Sequence, residues 1–117
     1  MQYMLLIYET EGGLARLSEA ERNATFKEYM AFTQDIAKAG KMKAGDPLQP
    51  VATATSVRVR NGRTMTTDGP FAETKEQLGG YYMVEAKDLD EAIAIAARIP
   101  SARWGTIEVR PVMKIDM

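Results

Sequence analysis

The run Asp68-Gly69-Pro70-Phe71-Ala72-Glu73-Thr74-Lys75-Glu76-Gln77-Leu78-Gly79-Gly80-Tyr81-Tyr82 joins a special turn, four charged side chains and a glycine pair before entering an apolar segment. Pro70 fixes its own φ and lacks an N–H, and Gly69 reaches backbone angles closed to other residues. An aspartate ordinarily accepts a hydrogen bond from the N–H two residues on. At Asp68 that donor is missing, because the residue two on is Pro70. Asp68 must therefore reach the N–H of Phe71 or Ala72, or keep its carboxylate for another task. Residues 70–77 read as an ordered loop or as one helical turn with Pro70 at its first position.

Immediately upstream, Thr55 to Arg60 alternates, Asn61-Gly62 is the preferred pair for a type I′ turn, and Arg63 to Thr67 returns as the second arm of a hairpin. Downstream, Tyr81 to Glu85 reads as a strand. Asp88-Leu89-Asp90-Glu91 is a helix-capping pattern, and Leu89, Ala92, Ile93, Ala96 and Ile99 form the stripe of a helix stopped by Pro100. Thr106 to Val112 closes as a strand, with Ile107 and Val109 directed to the helices and Thr106, Glu108 and Arg110 to the opposite face. Towards the start, Lys41 to Gly45 is a short strand before Asp46-Pro47. Ser18-Glu19-Ala20-Glu21 fits a capping box that opens a helix from about residue 19 to 39, with Phe26, Tyr29, Met30, Thr33, Ile36 and Ala37 on one stripe. Gln2 to Tyr8 is apolar on both faces and reads as a central strand. The order is β-α-β-(hairpin insertion)-β-α-β, an α+β protein with both helices on one face of an antiparallel sheet. Two helices cover only one side of such a sheet, so the uncovered side predicts a homodimer.

These residues carry a family resemblance over nearly the whole chain. The Asp68–Tyr82 run, the opening Tyr3-Met4-Leu5-Leu6-Ile7-Tyr8, the segment Leu48-Gln49-Pro50 with Ala52-Thr53-Ala54-Thr55, and the close Gly105-Thr106-Ile107-Glu108-Val109-Arg110-Pro111-Val112 resemble the DGPF branch of the YCII-related family. The resemblance implies a ferredoxin-like sandwich of the dimeric α+β barrel type and a setting linked to an extracytoplasmic-function sigma factor. Members of the wider family proposed as enzymes carry a histidine on the first helix and an aspartate after the second strand. Those places fall here at or near Tyr29 and near Asp46. Many relatives also carry a histidine where this chain has Trp104. The histidine-dependent mechanism that the resemblance would imply has no residue to carry it.

Composition narrows the classes further. The chain has 117 residues, enough for one domain spanning 1–117 with its own core. A net charge of -1 leaves no basic excess for nucleic acid, so no direct nucleic-acid partner is expected. With Cys 0 and His 0, disulfides, thiolate nucleophiles, Ser-His activation and the usual zinc sets are excluded. No metal and no cofactor are expected, since no phosphate loop, redox motif or calcium loop occurs. Neither a membrane-spanning run nor a signal-peptide pattern is present, and a cytoplasmic location is expected.

The candidate site centres on Asp68 as the catalytic group, with Phe71, Glu73, Lys75, Tyr29, Glu108 and Arg110 as ligand-binding residues. Asp68, Glu73, Lys75 and Glu76 would supply acid, base and cationic anchor. The competing reading makes Asp68 a turn cap and the rest a solvated charged run. Glu108 and Arg110 would orient an anionic ligand, or pair with each other across strands or subunits. Tyr8, Tyr29, Tyr81 and Tyr82 are hydroxyl donors for a pocket, or packing aromatics. The functional expectation is binding of a small polar or anionic molecule in a cleft near Asp68–Glu76. A lyase- or isomerase-type enzyme using carboxylate and tyrosine acid–base groups is the alternative, and a ligand-free protein-interaction adaptor the second.

Overall fold

A computed structural model describes residues 1–116. Six strands and two α-helices follow one another as β1 (Gln2–Thr10), α1 (Glu19–Lys38), β2 (Met42–Pro47), β3 (Thr55–Arg60), β4 (Arg63–Asp68), β5 (Glu76–Glu85), α2 (Leu89–Ala97) and β6 (Thr106–Pro111). β2, β5, β1 and β6 lie in that order in one antiparallel sheet, the ferredoxin-like arrangement, while β3 and β4 form a separate two-stranded sheet. No helix of the described residues is long and apolar enough to cross a membrane.

Local chemistry sets the ends of these elements. Ser18 accepts from the Glu21 N–H while the Glu21 carboxylate accepts from the Ser18 N–H, each at 3.1 Å, so the capping box opens α1 as the sequence implies. Asp88 caps α2 by accepting from the Glu91 N–H at 2.9 Å. Asn61 and Gly62 take φ of 52° and 74°, the pair of left-handed residues that a two-residue type I′ turn requires.

The core is one layer between the helices and one sheet face. Tyr3, Leu5 and Ile7 of β1 and Tyr82 and Val84 of β5 meet Phe32 and Ile36 of α1 and Ala92, Ile95 and Ala96 of α2. Ile107 and Val109 join from β6 on the helix side, as their alternation predicts. Phe32 stands edge-on to Tyr82 with ring centroids 5.2 Å apart, and the Tyr82 hydroxyl bonds the Thr33 hydroxyl at 2.8 Å. Met4, Leu6, Tyr8, Tyr81 and Met83 line the other face and stay half-exposed.

Several boundaries differ from the sequence reading. β5 begins at Glu76 rather than Tyr81, because Gly79 sits at a bulge opposite Ile7/Tyr8 and the ladder continues through it. Residues 70–75 are loop, so the helical-turn alternative is not the one adopted. β1 runs on to Thr10, and β2 occupies 42–47 rather than 41–45. The α1 stripe is also rotated. Phe32 is buried while Phe26, Met30 and Ala37 are exposed, since the buried side is fixed by the Tyr82 contacts and by a hydroxyl pair at Tyr29. In α2, likewise, Ile95 is buried whereas Leu89 and Ile93 are exposed.

Candidate functional site

The largest meeting of polar groups from distant parts of the chain lies at the Thr10 end of β1. Glu9 continues the helix-facing side of that strand, one step beyond Ile7. Tyr29 projects from the middle of α1, and Ser101 sits in a 3-10 turn, Pro100–Arg103, that follows α2. Ser101 is 1% exposed and is the one buried polar side chain among the described residues. Its hydroxyl donates to Glu9 Oε2 at 3.3 Å and therefore accepts from the Tyr29 hydroxyl, its other partner. The Trp104 indole N–H donates to the same Oε2 at 2.8 Å. The result is a relay, Tyr29 to Ser101 to Glu9, with Trp104 as a second donor to the carboxylate.

Glycines let this cluster form. An added Cβ on Gly105 would lie 2.2 Å from the Tyr8 carbonyl oxygen and 3.1 Å from Glu9 Cβ, so only glycine permits the turn to approach β1 so closely. The Gly105 N–H closes that turn on the Ser101 carbonyl at 2.7 Å. On the other side, Glu9 Oε1 lies 3.6 Å from the Cβ position of Gly79, over a stretch of β5 with no side chain. Oε1 receives no hydrogen bond from the described residues, whereas Oε2 receives two. Arg103 braces the rim, with its guanidinium 5.4 Å from the Trp104 ring centroid and 2.6 Å from the Glu28 carboxylate.

Burial raises the Tyr29 hydroxyl above the usual tyrosine range; the Ser101 hydrogen bond opposes this and the Glu9 charge reinforces it. Tyr29 is therefore a neutral donor at neutral pH. Chemically, the arrangement offers a carboxylate with one oxygen anchored and one open, backed by a buried hydroxyl chain. Among the described residues no cluster of metal-ligating side chains occurs.

The residues singled out from the sequence fall at three separate places. Asp68 ends β4, is exposed, and pairs through its backbone with Thr55. The turn after it is held at Gly69, whose N–H donates to the Ala54 carbonyl at 2.7 Å and whose carbonyl accepts from the Ser56 hydroxyl at 2.9 Å. Phe71 is 78% exposed with the Arg58 guanidinium 5.3 Å from its ring centroid. Glu73 and Lys75 are exposed loop residues that take part in no ion pair among the described residues. Glu108 and Arg110 pair with each other along β6, on the open sheet face. Of the seven, Tyr29 alone stands in the polar cluster.

Glu9 carries no local signal of partnership with Ser101 or Trp104, each of which lies more than ninety residues from it in sequence. Asp46 bonds the Tyr81 hydroxyl at 2.9 Å on the open face, so it lies across the sheet from Tyr29. Two depressions, of about 170 and 380 Å³, lie at the Met1 end of the sheet around Lys41 and Glu91, away from Glu9. The distal end of the Asp68–Glu76 segment does reach the cluster's border. Gln77 pairs with Glu9 across the ladder, and the Thr106 hydroxyl donates to Glu76 at 2.8 Å.

Comparison with known proteins adds the following. The solved structure of 5-chloro-2-hydroxyhydroquinone dehydrochlorinase (TftG) from Burkholderia phenoliruptrix AC1100, in complex with 2,5-dihydroxybenzoquinone, superposes with a TM-score of 0.58 at 15% identity, covering 97% of this chain and 94% of that one. At that identity the likeness establishes shared fold. An uncharacterised protein of Rhizobium meliloti (strain 1021) is 36% identical over 114 residues, covering 96% of this chain and 92% of its own. The family model of the YCII-related domain matches residues 1–116. With fold, relative and domain model in agreement over almost every residue, the chain belongs to the YCII-related family.

Proposed function

We propose that this protein binds a small, hydroxyl-bearing polar molecule beside Glu9, and that it works as a homodimer joined through the open sheet face. The observation that carries the binding reading is the divided state of the Glu9 carboxylate. Oε2 is held by Ser101 and Trp104, while Oε1 stands unengaged over the side-chain-free strip at Gly79. An open carboxylate oxygen selects a donor, so a hydroxyl or phenol is favoured and a simple anion is repelled. The Trp104 ring at the rim offers such a ligand a flat apolar surface. The hydroxyhydroquinone in the neighbour's name is a polyphenol of this chemical class. A ligand-sensing role also fits the sigma-factor-linked setting that the DGPF resemblance implies.

A second reading is favoured by the relay. A carboxylate that takes a proton on Oε1, with Tyr29 and Ser101 adjusting the hydrogen bonding at Oε2, is the acid–base pair of a lyase- or isomerase-type reaction. The neighbour's naming as a dehydrochlorinase is in keeping with elimination chemistry on this fold.

Trp104 is the sole tryptophan, so its emission reports on the site directly. Titration with dihydroxybenzenes, which are neutral phenols at neutral pH, should give saturable binding checked by calorimetry, with benzoate as the anionic control giving none. Glu9→Gln should weaken the best binder by about tenfold or more, since hydrogen bonds to charged groups carry about 1.5–3 kcal/mol. Equal binding by wild type and Glu9→Gln, with loss in Asp68→Asn, would move the site to the Asp68 loop.

A further inference from the structure

Beyond the four-stranded sheet, the β3–β4 hairpin stands apart. Every residue of β4 and all of β3 except the half-exposed Ser56 are exposed, and the hairpin is hydrogen-bonded as a sheet of its own. A lone two-stranded hairpin is marginal in water and needs a surface to pack on. Its two faces differ in chemistry. In antiparallel pairs, opposed residues share a face, so Arg58 with Met65 and Arg60 with Arg63 lie together on one side, where Phe71 stacks on Arg58. The other side joins Val57 with Thr66 and Val59 with Thr64. That side is uncharged along these pairs and entirely β-branched, the composition of a strand surface that is covered. Yet Val57 and Val59 are 61% and 59% exposed.

The dimensions say how much cover is missing. The chain exposes 8491 Å². A compact monomer of 13.0 kDa would expose about 6,300 Å². The radius of gyration is 16.3 Å, against about 13.4 Å for a compact domain of this length. The excess of roughly 2,100 Å² per chain is more than twice the ~800 Å² that each partner gives up in a standard interface, and it falls in the range of obligate pairs. The open sheet face and the hairpin both contribute to it, from separate parts of the chain.

We infer that the β3–β4 hairpin is an intersubunit arm whose Val57/Val59/Thr64/Thr66 face packs on a second copy of this chain, carrying the Asp68–Lys75 loop at its base to the subunit boundary. The inference rests on the homodimer reading above and adds to it. The hairpin belongs to a sheet separate from the one whose open face would pair. The second copy is the favoured occupant because the missing area has the size of a self-complementary obligate interface. The arm's arginines, Arg58, Arg60 and Arg63, also lie on the face turned away from that contact, where they need no partner, while Asp68 lies on the contact face at the base of the arm.

The test is light scattering on wild type and on Val57→Asp/Val59→Asp, with hydrogen exchange of the hairpin amides followed at high and low protein concentration. Wild type should run at twice the 13.0 kDa chain mass. Its hairpin amides should be protected when concentrated and lose that protection on dilution. The double variant should keep its far-ultraviolet circular dichroism, because the arm lies outside the core, while its dimer dissociation constant rises by roughly tenfold or more. A wild-type mass of 13.0 kDa would remove the dimer and the arm together. A stable dimer with unaltered dissociation in the variant, or with hairpin amides that exchange freely at every concentration, would keep the dimer and overturn the arm.

Discussion

Replacing Gly105 by alanine should destabilise the fold and unseat the polar cluster in a single step. The added Cβ would lie 2.2 Å from the Tyr8 carbonyl oxygen, about 0.8 Å inside the 3.0 Å that real Cβ contacts respect. The obstacle is backbone, locked in the β1–β6 ladder where Tyr8 pairs with Thr106, so no side-chain rotation relieves it. Two further contacts, at 3.1 Å to Glu9 Cβ and 3.2 Å to the Ser101 carbonyl, close off retreat in other directions. Overpacking typically costs about 1–3 kcal/mol, and a main-chain clash flanked by two tight contacts places this case near the upper end. At about 4 °C per kcal/mol for a domain of this length, the melting temperature should fall by roughly 10 °C. Gly79→Ala is the matched control, because its Cβ would meet only the flexible Glu9 side chain, at 3.6 Å. That change should stay within about 1 kcal/mol of wild type. Thermal unfolding followed by circular dichroism and by Trp104 emission measures both. Gly105→Ala melting within a few degrees of Gly79→Ala would show that the turn has room to move, and the rigid approach of Trp104 to Glu9 would lose its basis.

Two other outcomes follow from single contacts. Asp68→Asn should change stability by no more than about 0.5 kcal/mol, because the carboxylate is exposed and the turn is held by Gly69 and Ser56; a larger drop in chemical denaturation would return Asp68 to a capping role. Glu91 accepts from Lys41 at 2.6 Å and then from the Lys87 N–H, and these bonds hold its carboxyl below the ordinary 4.5. A lowered carboxylate stabilises the fold above its unfolded pKa and loses that contribution as the pH falls through the lower folded value. Lys41→Met should accordingly be less stable than wild type at neutral pH, the gap closing as acid protonates Glu91, and a gap independent of pH would refute the pairing.

Signals between near neighbours were legible in the sequence. Ser18 with Glu21, Asn61 with Gly62, and the alternation of Ile107 and Val109 each act within a few residues, and each reads directly into a cap, a turn or a sheet face. The α1 stripe was not legible to the same degree. Phe26, Met30 and Phe32 offer rival apolar faces, and the choice is made by Tyr82 and Ser101, dozens of residues away. β5 is longer than the apolar run Tyr81 to Glu85 indicates, because the Gly79-Gly80 pair ahead of it carries no side chain to show an alternation. In the sheet the pair is a bulge, with Gly80 facing the Asp46 carbonyl too closely for a side chain to fit comfortably. The candidate site was the least visible part. Tyr29 was noticed by its place on the helix, but the carboxylate it serves is Glu9, at the far end of an apparently ordinary strand. Only the closed ladder brings that strand against the turn at Gly105.

The central position of β1 also has a consequence for synthesis. Its neighbours are β5 and β6, so the strand made first waits for those made last. Leu5 pairs with Tyr82 on one side and Val109 on the other. At ribosomal rates of about 5–20 residues per second, β1 lacks its second neighbour for roughly 5–20 s after it is made. Until β5 is made this apolar strand has both edges unpaired, and until β6 is made one edge stays open, which makes the nascent polypeptide a natural client for chaperones at the tunnel exit.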